Sequence, residues 1–401
     1  MADLHILSPK GFRAAGVSCG IKVVKGRKDL ALLVADRPVA AAAVFTTNKV
    51  CAAPVVLGRK VIRGGQVQAV VVNSGNANAC TGQQGLADAA EMARLAAEAV
   101  GAKPAQVLVS STGVIGHTLP MDKVSAGIAD AASKLSGGPA AAADFAQGIM
   151  TTDVRPKTAG ARGKINGRTV TVAGACKGAG MISPNMATML AYVTTDANIA
   201  PAALKVALRA AADRSFNAIT VDGHTSTNDT AVVLASGAAG GAEIVAGTKA
   251  FDQFQTLLTQ VCTTLAVKIV ADGEGATRVV EVRIEGAASE KDARLAARAI
   301  ANSPLLKCAI HGGDPNWGRV VSAVGYSGAK MDQAKTRHWI GKTLVFAHGT
   351  PTKFDRPACA KYMKSDHVLL KVDLGLGRGQ TTVYTCDLSK EYVTINADYH
   401  T

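Results

Sequence analysis

Aromatic residues are scarce. Phe, Trp and Tyr make up 4% of the 401 residues, too few for a surface that stacks successive bases, so a nucleic-acid partner is not expected. The formal net charge of +14 does not reverse this. Basic residues are scattered, with one brief concentration at 22–28 (KVVKGRK), whereas nucleic-acid recognition needs them clustered. A solvated basic surface, with some help in attracting anionic substrates, is the reading left. Charged residues total 18% against 48% hydrophobic, which excludes a disordered chain. No apolar run reaches the roughly 18 residues of a membrane span. The opening MADLHILSPKGFRAAG has no secretory apolar core and too few basic and hydroxyl residues for a transit peptide. The eight cysteines (19, 51, 80, 176, 262, 308, 359 and 386) show no CxxC and no Cys/His pair at metal spacing. A soluble, cytoplasmic protein with reduced thiols, no disulfide scaffold, no metal and no membrane contact is expected.

What is abundant is small: 41 glycines and a pervasive Ala-rich texture, typical of an α/β chain whose length allows two or three lobes. Short apolar runs with Gly and charge over 11–35 predict antiparallel strands, and 40–46 predicts another strand. Strands are also expected at 66–72, 107–109, 163–172, 279–284, 343–347, 367–374 and 381–386. Apolar residues at three- and four-residue spacing predict helices at 82–100, 121–135, 140–150, 201–214, 251–267 and 289–302. Residues 268–271 read as a step out of the helix before them. The last ten residues alternate and predict a closing strand. The LGLGRGQ run at 374–380 lacks the spacing and setting of a dinucleotide site.

The centre of the chain is KGAGMISPNMATML, residues 177–190. An alternating strand precedes it at 169–172 and an apolar run follows at 189–193, with a turn of Gly178, Gly180, Pro184 and Asn185 between. Thr188 stands at the loop-to-strand boundary after Ala187. A hydroxyl there could attack the preceding carbonyl, cut the chain and leave Thr188 as a new N-terminus. Its α-amine, with a reference pKa of about 7.7–8.0, could then deprotonate its own hydroxyl. Read locally, Thr188 is equally a β-branched strand residue beside a Gly-rich connection.

Other polar words carry the same double reading. NSGNANAC (73–80) can bond back to the backbone and build a specific turn. SSTGVIG (110–116) ends a strand with either an oxyanion-binding turn or a helix N-cap. TTD at 151–153 closes a helix. SFNAITVDGHTSTNDT (215–230) is a polar loop in which Asp222 and His224 could pair, or His224 could be a turn histidine. DGEGATR (272–278) exposes Glu274 on a turn. HGGDPNWGR (311–319) is turn-rich, and Arg319 could hold a carboxylate or phosphate, or anchor the loop.

KGAGMISPNMATML followed by TTDA at 194–197, with FTTNKVCAAPV, NSGNANACTG and STGVIG, resembles the ornithine acetyltransferase (glutamate N-acetyltransferase) family. The matches run in order from Phe45 to Thr401. The one departure is His224, where the family usually has Asp. The resemblance implies a layered α/β sandwich of mixed and antiparallel sheets flanked by helices, in two lobes, N-terminal-nucleophile-like. It implies self-cleavage between Ala187 and Thr188 into an α chain (1–187) and a β chain (188–401) that associate as an α2β2 heterotetramer. The implied activity is acetyl transfer from N2-acetylornithine to glutamate in arginine biosynthesis, with no cofactor but with acetyl-CoA possible as a second donor. Thr188 is the implied nucleophile, Thr112 and Gly113 the oxyanion hole. Thr151, Lys177, Thr188, Glu274, Asn396 and Thr401 are the implied substrate ligands. A cation at Lys177 near the new α-amine would favour its neutral form, and a carboxylate at Glu274 suits the second amine of ornithine. Two alternatives stay open: an N-terminal-nucleophile amidohydrolase or aminopeptidase in which water replaces glutamate, and a non-catalytic relative.

Overall fold

In the computed structural model, which describes residues 4–183 and 189–398, the run LALLVA at 30–35 lies in a strand with no wet face. Leu30, Leu32 and Val34 pack against Met92, Ala93, Ala96 and Ile128. The alternate residues Ala31, Leu33 and Ala35 pack against Val70, Phe145 and Tyr192. A strand buried on both sides reads as a continuous apolar run rather than an alternation. By contact the chain divides into two units, Met1–Asn217 with His224–Ile269, and Ala218–Gly223 with Val270–His400.

The first unit carries strands β1 (Phe12–Val17), β2 (Leu30–Phe45), β3 (Gln66–Asn76), β4 (Val107–Val114), β5 (Lys157–Ile165), β6 (Arg168–Lys177), β7 (Leu190–Thr195) and β8 (Thr230–Ala235). Its helices are α1 (Ala53–Val61), α2 (Gly82–Val100), α3 (Met121–Ser133), α4 (Pro139–Gly148), α5 (Pro201–Arg214) and α6 (Lys249–Ala271). The strands bond in the order β4-β3-β2-β8-β7-β6-β5, with β1 added to β2. The path doubles over. Tyr192 on β7 sits in one cluster with Leu33 on β2 and Val70 and Val72 on β3, although β2 and β7 are not bonded neighbours. The fold-over occurs in β2, whose first half pairs with β3 and second half with β8, with an irregularity between Val34 and Val39. Two sheet layers result. α2 and α3 cover the outer face of one, and α6 lies on the other, where the Cys176 thiol on β6 reaches the Leu265 carbonyl at 3.6 Å. This is the layered α/β sandwich that the resemblance implies.

Chain signals set the helix limits. α2 stops where Gly101 takes φ 68°, a left-handed cap that glycine adopts freely. α5 opens with Pro201 in its first turn, where the missing N–H costs nothing. α6 runs four residues beyond the predicted end, to Ala271, so 268–271 is helix and not a step into a loop. By length and composition alone α6 is apolar enough to cross a membrane. Its buried residues, among them Phe254, Leu258, Val261, Leu265 and Ile269, recur at three and four, as a core helix requires.

The second unit is a smaller sheet ordered β12-β11-β10-β13-β9-β14, from β9 (Val279–Ala287), β10 (Arg337–Ile340), β11 (Thr343–Ala347), β12 (Thr350–Pro351), β13 (His367–Asp373) and β14 (Gly379–Cys386). One face packs on α7 (Glu290–Ala301), α8 (Pro304–Gly312), α9 (Trp317–Tyr326) and α10 (Arg356–Met363). Val280, Val282 and Ile284 face that core, and the visible alternation follows. Two expectations fail here. Residues 311–319 are not one long turn, because the chain enters as the end of α8 and leaves as the start of α9. The last segment is helix α11 (Lys390–Asp398), not a strand, and none of its residues is buried.

The predicted cut falls inside the first unit, between β6 and β7, so the two product chains would not be the two units. β6 pairs with β7 from Val172↔Thr195 to Lys177↔Leu190, and β2 pairs with β8. Both ladders would join the products across the cut. Phe145 is fully buried and meets the Tyr192 ring edge-on at 5.5 Å. Phe145→Ala is therefore expected to destabilise the first unit by about 3–5 kcal/mol in urea unfolding; a loss under about 1 kcal/mol would contradict this account of the core.

Candidate active site

Lys177 is the last residue of β6 and is only 6% exposed, not the surface lysine that its neighbourhood of glycines suggests. Its Nζ donates to the Thr151 hydroxyl at 3.3 Å. Behind this pair lies Asp153, which accepts from the Gly178 N–H at 2.7 Å and the Thr151 N–H at 2.9 Å and forms a buried ion pair with Lys157. Burial would raise the Asp153 carboxyl, but the ammoniums of Lys157 and Lys177 outweigh it and hold the acid below its usual range. Thr151 and Lys177 are thus brought together and fixed by an acid that sequence reading treats only as a helix-end cap. Lys22 lies nearby. Burial pushes its ammonium down to about 8, with Asp29 raising it and Arg27 and Lys177 among the groups lowering it.

Thr112 and Gly113 lie within β4 and not on the turn or helix cap considered from the sequence. Gly113 pairs with Gly75 across the parallel β3–β4 ladder at φ 135°, and a Cβ there would meet the Gly75 carbonyl carbon at 2.3 Å. Only glycine fits. Thr112 is 7% exposed.

The polar loop before β8 connects these pieces. Asn228 Nδ2 donates to Ser111 O at 2.8 Å and to Ala77 O at 2.6 Å, which holds β4 one residue before Thr112. The Thr225 hydroxyl donates to Ser183 O at 2.9 Å, and the Thr230 N–H to Met189 O at 3.0 Å. Residues on either side of 184–188 are therefore gripped by the loop that also holds β4, and Leu190 pairs with Lys177. Ala187 and Thr188, the predicted cleavage pair, lie outside the described residues. So does Thr401.

In the second unit, Glu274 is 9% exposed and its Oε2 accepts from the Asn396 Nδ2 at 2.9 Å. Ser389 Oγ donates to Gly275 O at 2.6 Å, and a Cβ on Gly275 would come within 2.5 Å of the Tyr392 nitrogen. Helix α11 thus docks on the Glu274 turn and delivers Asn396 to it, though not as a strand. Asp222 belongs to this unit, while His224 is an exposed residue of the first. Burial and the Asp222 and Glu274 carboxylates push the Tyr392 phenol up to about 12. Arg319 settles as an anchor: in the first turn of α9, its guanidinium donates to the Leu305 carbonyl of α8.

A layered α/β sandwich with a buried lysine–threonine pair at the end of β6 is the class that the fold and this site define. The profile of the ArgJ family matches residues 13–401. The arginine biosynthesis bifunctional protein ArgJ of Symbiobacterium thermophilum is 53% identical over 397 residues, covering 99% of this chain and 98% of that one. Its namesake in Geobacter sulfurreducens is 49% identical over 396 residues, covering 98% and 100%. A crystal structure of the bifunctional protein argJ from Bacillus halodurans is 43% identical with a TM-score of 0.52, matching 53% of this chain and 100% of that chain. The chain belongs to the ArgJ family.

Two consequences can be measured. Gly113→Ala should abolish activity or folding, because the added carbon collides with backbone. A fully active Gly113→Ala enzyme would contradict the β3–β4 geometry. The depressed Asp153 acid stabilises the fold above the unfolded carboxylate pKa of about 3.9, and this contribution is lost as pH falls through the lower folded value. Asp153→Asn, which removes the carboxylate facing the buried Lys157, should cost about 3–5 kcal/mol at neutral pH, and the gap to the native chain should close in acid. A gap independent of pH would overturn it.

Proposed function

We propose that the chain cuts itself between Ala187 and Thr188 and then transfers an acetyl group from N2-acetylornithine to glutamate through an ester on Thr188. The observation that carries this reading is the family match over 13–401 with relatives named for arginine biosynthesis, joined to a first unit whose polar residues converge on both flanks of 184–188. The solved ArgJ chain, matched over its whole length by 53% of this one, gives further support: that is roughly the share residues 188–401 make up.

In the first half-reaction the free α-amine of Thr188 takes the proton from its own hydroxyl, whose oxygen attacks the acetyl carbonyl. The Thr112 hydroxyl and the Gly113 N–H stabilise the tetrahedral oxyanion. The C–N bond breaks, the leaving nitrogen takes the proton, and ornithine departs. In the second, the glutamate amine attacks the ester by the reverse path. Lys177 would lower the α-amine's pKa and keep it basic at neutral pH. Glu274, oriented by Asn396, is the counter-charge for the ornithine side-chain ammonium, and Thr151 and Thr401 are further substrate ligands. No resident cofactor is part of the proposal. We extend the proposal to acetyl-CoA as a second acetyl donor to the same Thr188, a reading in keeping with relatives named bifunctional. A cytoplasmic α2β2 assembly of the two product chains completes the reading.

The test has two parts. Intact mass should show fragments 1–187 and 188–401 in the native protein and one full-length chain in Thr188→Ala; a single chain in both would sink the reading. With cleaved enzyme, two-substrate plots should give the parallel lines of a ping-pong mechanism, and intersecting lines would contradict the ester. Glu274→Gln should lower kcat/KM for N-acetylornithine about ten- to a hundredfold, the worth of one charge-assisted hydrogen bond. Less than a twofold loss would remove Glu274 from its assigned role.

A further inference from the structure

The role given to Glu274 leaves a second carboxylate of the same unit unexplained. Asp222 belongs to 218–223, the short segment that the second unit takes from the middle of the chain. Hydrogen bonds fix that segment to the second unit. The Thr220 N–H donates to Tyr384 O on β14 at 2.9 Å, and the Thr220 hydroxyl to Asn302 Oδ1, just past α7, at 2.7 Å. Val221 O accepts from the buried Lys307 ammonium at 2.6 Å. Val221 also lies against Gly273, where an added Cβ would meet its Cγ2 at 3.2 Å and its Cγ1 at 3.3 Å. Asp222 follows Val221 as Glu274 follows Gly273. The packing of Val221 on Gly273 therefore brings together two acids from distant parts of the chain.

Helix α11 reaches both. Its Asn396 Nδ2 donates to Glu274 Oε2 at 2.9 Å, and its Tyr392 phenol is hydrogen-bonded to Asp222. Tyr392 and Asn396 are four residues apart, hence on one face of the helix. That face gives each carboxylate a neutral donor, which orients the oxygens and leaves their charge in place. The phenol registers this charge: burial first, then the Asp222 and Glu274 carboxylates, push it up to about 12. Glu274 is 9% exposed and Asp222 half-buried, so the two are screened less than surface acids would be. Like charges held this way repel. A cation received between them relieves the repulsion and gains a charge-assisted bond to each.

From this geometry we propose that Asp222 and Glu274 together form the site for the side-chain ammonium of N2-acetylornithine, and that Asp222 sets the preference for a positively charged donor. The proposal rests on the reading of Glu274 given above and adds a second carboxylate to it. Asp222 binds and takes no part in moving protons. A donor whose side chain ends in a methyl group leaves the two carboxylates facing each other uncompensated, so the pair selects against it.

The experiment compares two donors, N2-acetylornithine and N2-acetylnorleucine, in which a methyl group replaces the ammonium, with glutamate as acceptor. The value of kcat/KM is measured for both donors in the native enzyme, Asp222→Asn, Asp222→Glu and Glu274→Gln. The ratio of the two values reports recognition of charge, because a change that merely loosens α11 lowers both donors alike. Asp222→Asn should lower the ratio about ten- to a hundredfold, the worth of one charge-assisted hydrogen bond. Asp222→Glu, which keeps the charge, should recover part of that loss. A ratio in Asp222→Asn within about twofold of the native one overturns the proposal, as does Asp222→Glu selecting no better than Asp222→Asn. If Asp222→Asn does not fold, Asp222→Ser poses the same question, and an unchanged ratio again overturns it. A ratio lowered by Glu274→Gln alone defeats only the part given to Asp222. A ratio that Glu274→Gln leaves unchanged defeats the Glu274 reading itself, which keeps the two failures apart.

Discussion

The side-chain amide of Asn228 is the fastening on which the first unit depends. Its two N–H groups reach Ser111 O on β4 and Ala77 O just past β3, from a loop that continues directly into β8. No sheet ladder joins β8 to β4, so this buried amide ties together strands that the doubled sheet brings face to face. Leaving two buried carbonyls unpaired would cost about 1–3 kcal/mol each. The same loop holds Ser183 and Met189. One polar segment therefore sets where β4, with Thr112 and Gly113, lies and where the chain enters and leaves residues 184–188.

The topology explains how a protein can sever its chain and keep its fold. β6 and β7 are adjacent in sequence and antiparallel in the sheet, joined from Val172 to Lys177. A cut in the connection removes no ladder bond and no core contact of Tyr192, Val232 or Leu234. What the proposed cut would change is chemical: the Ala187–Thr188 amide would become a carboxylate and an amine. Asp153, held below the usual carboxylate range by the ammoniums of Lys157 and Lys177, is the negative charge that these two buried lysines share.

Much of this was legible. The bounds of α2 and α5 were read to the residue because Gly101 and Pro201 have local meanings that packing does not override. β2 was read as two strands because Asp36, Arg37 and Pro38 interrupt the apolar pattern; the chain bends there but stays in the sheet. The last residues alternate in the manner of a strand, yet Ser389 and Asn396 reach back to the Glu274 turn and hold a helix. Thr112, Gly113, Thr151, Lys177, Glu274 and Asn396 were named from motif likeness. The burial of Lys177 and the roles of Asp153 and Asn228 could not be read that way. Their significance is tertiary, and the only hint was the density of Thr, Ser, Asn and Asp at 225–230.

The central claim is that an acyl group rests on Thr188 between two half-reactions. The most direct test is to incubate cleaved enzyme with N2-acetylornithine and no glutamate, quench in acid, and locate added mass by peptide mapping. The account predicts a single acetyl group on Thr188, the first residue of the 188–401 chain, that disappears when glutamate is added before the quench. An enzyme that turns over while no acetyl group accumulates, or one acetylated at another residue, would contradict it.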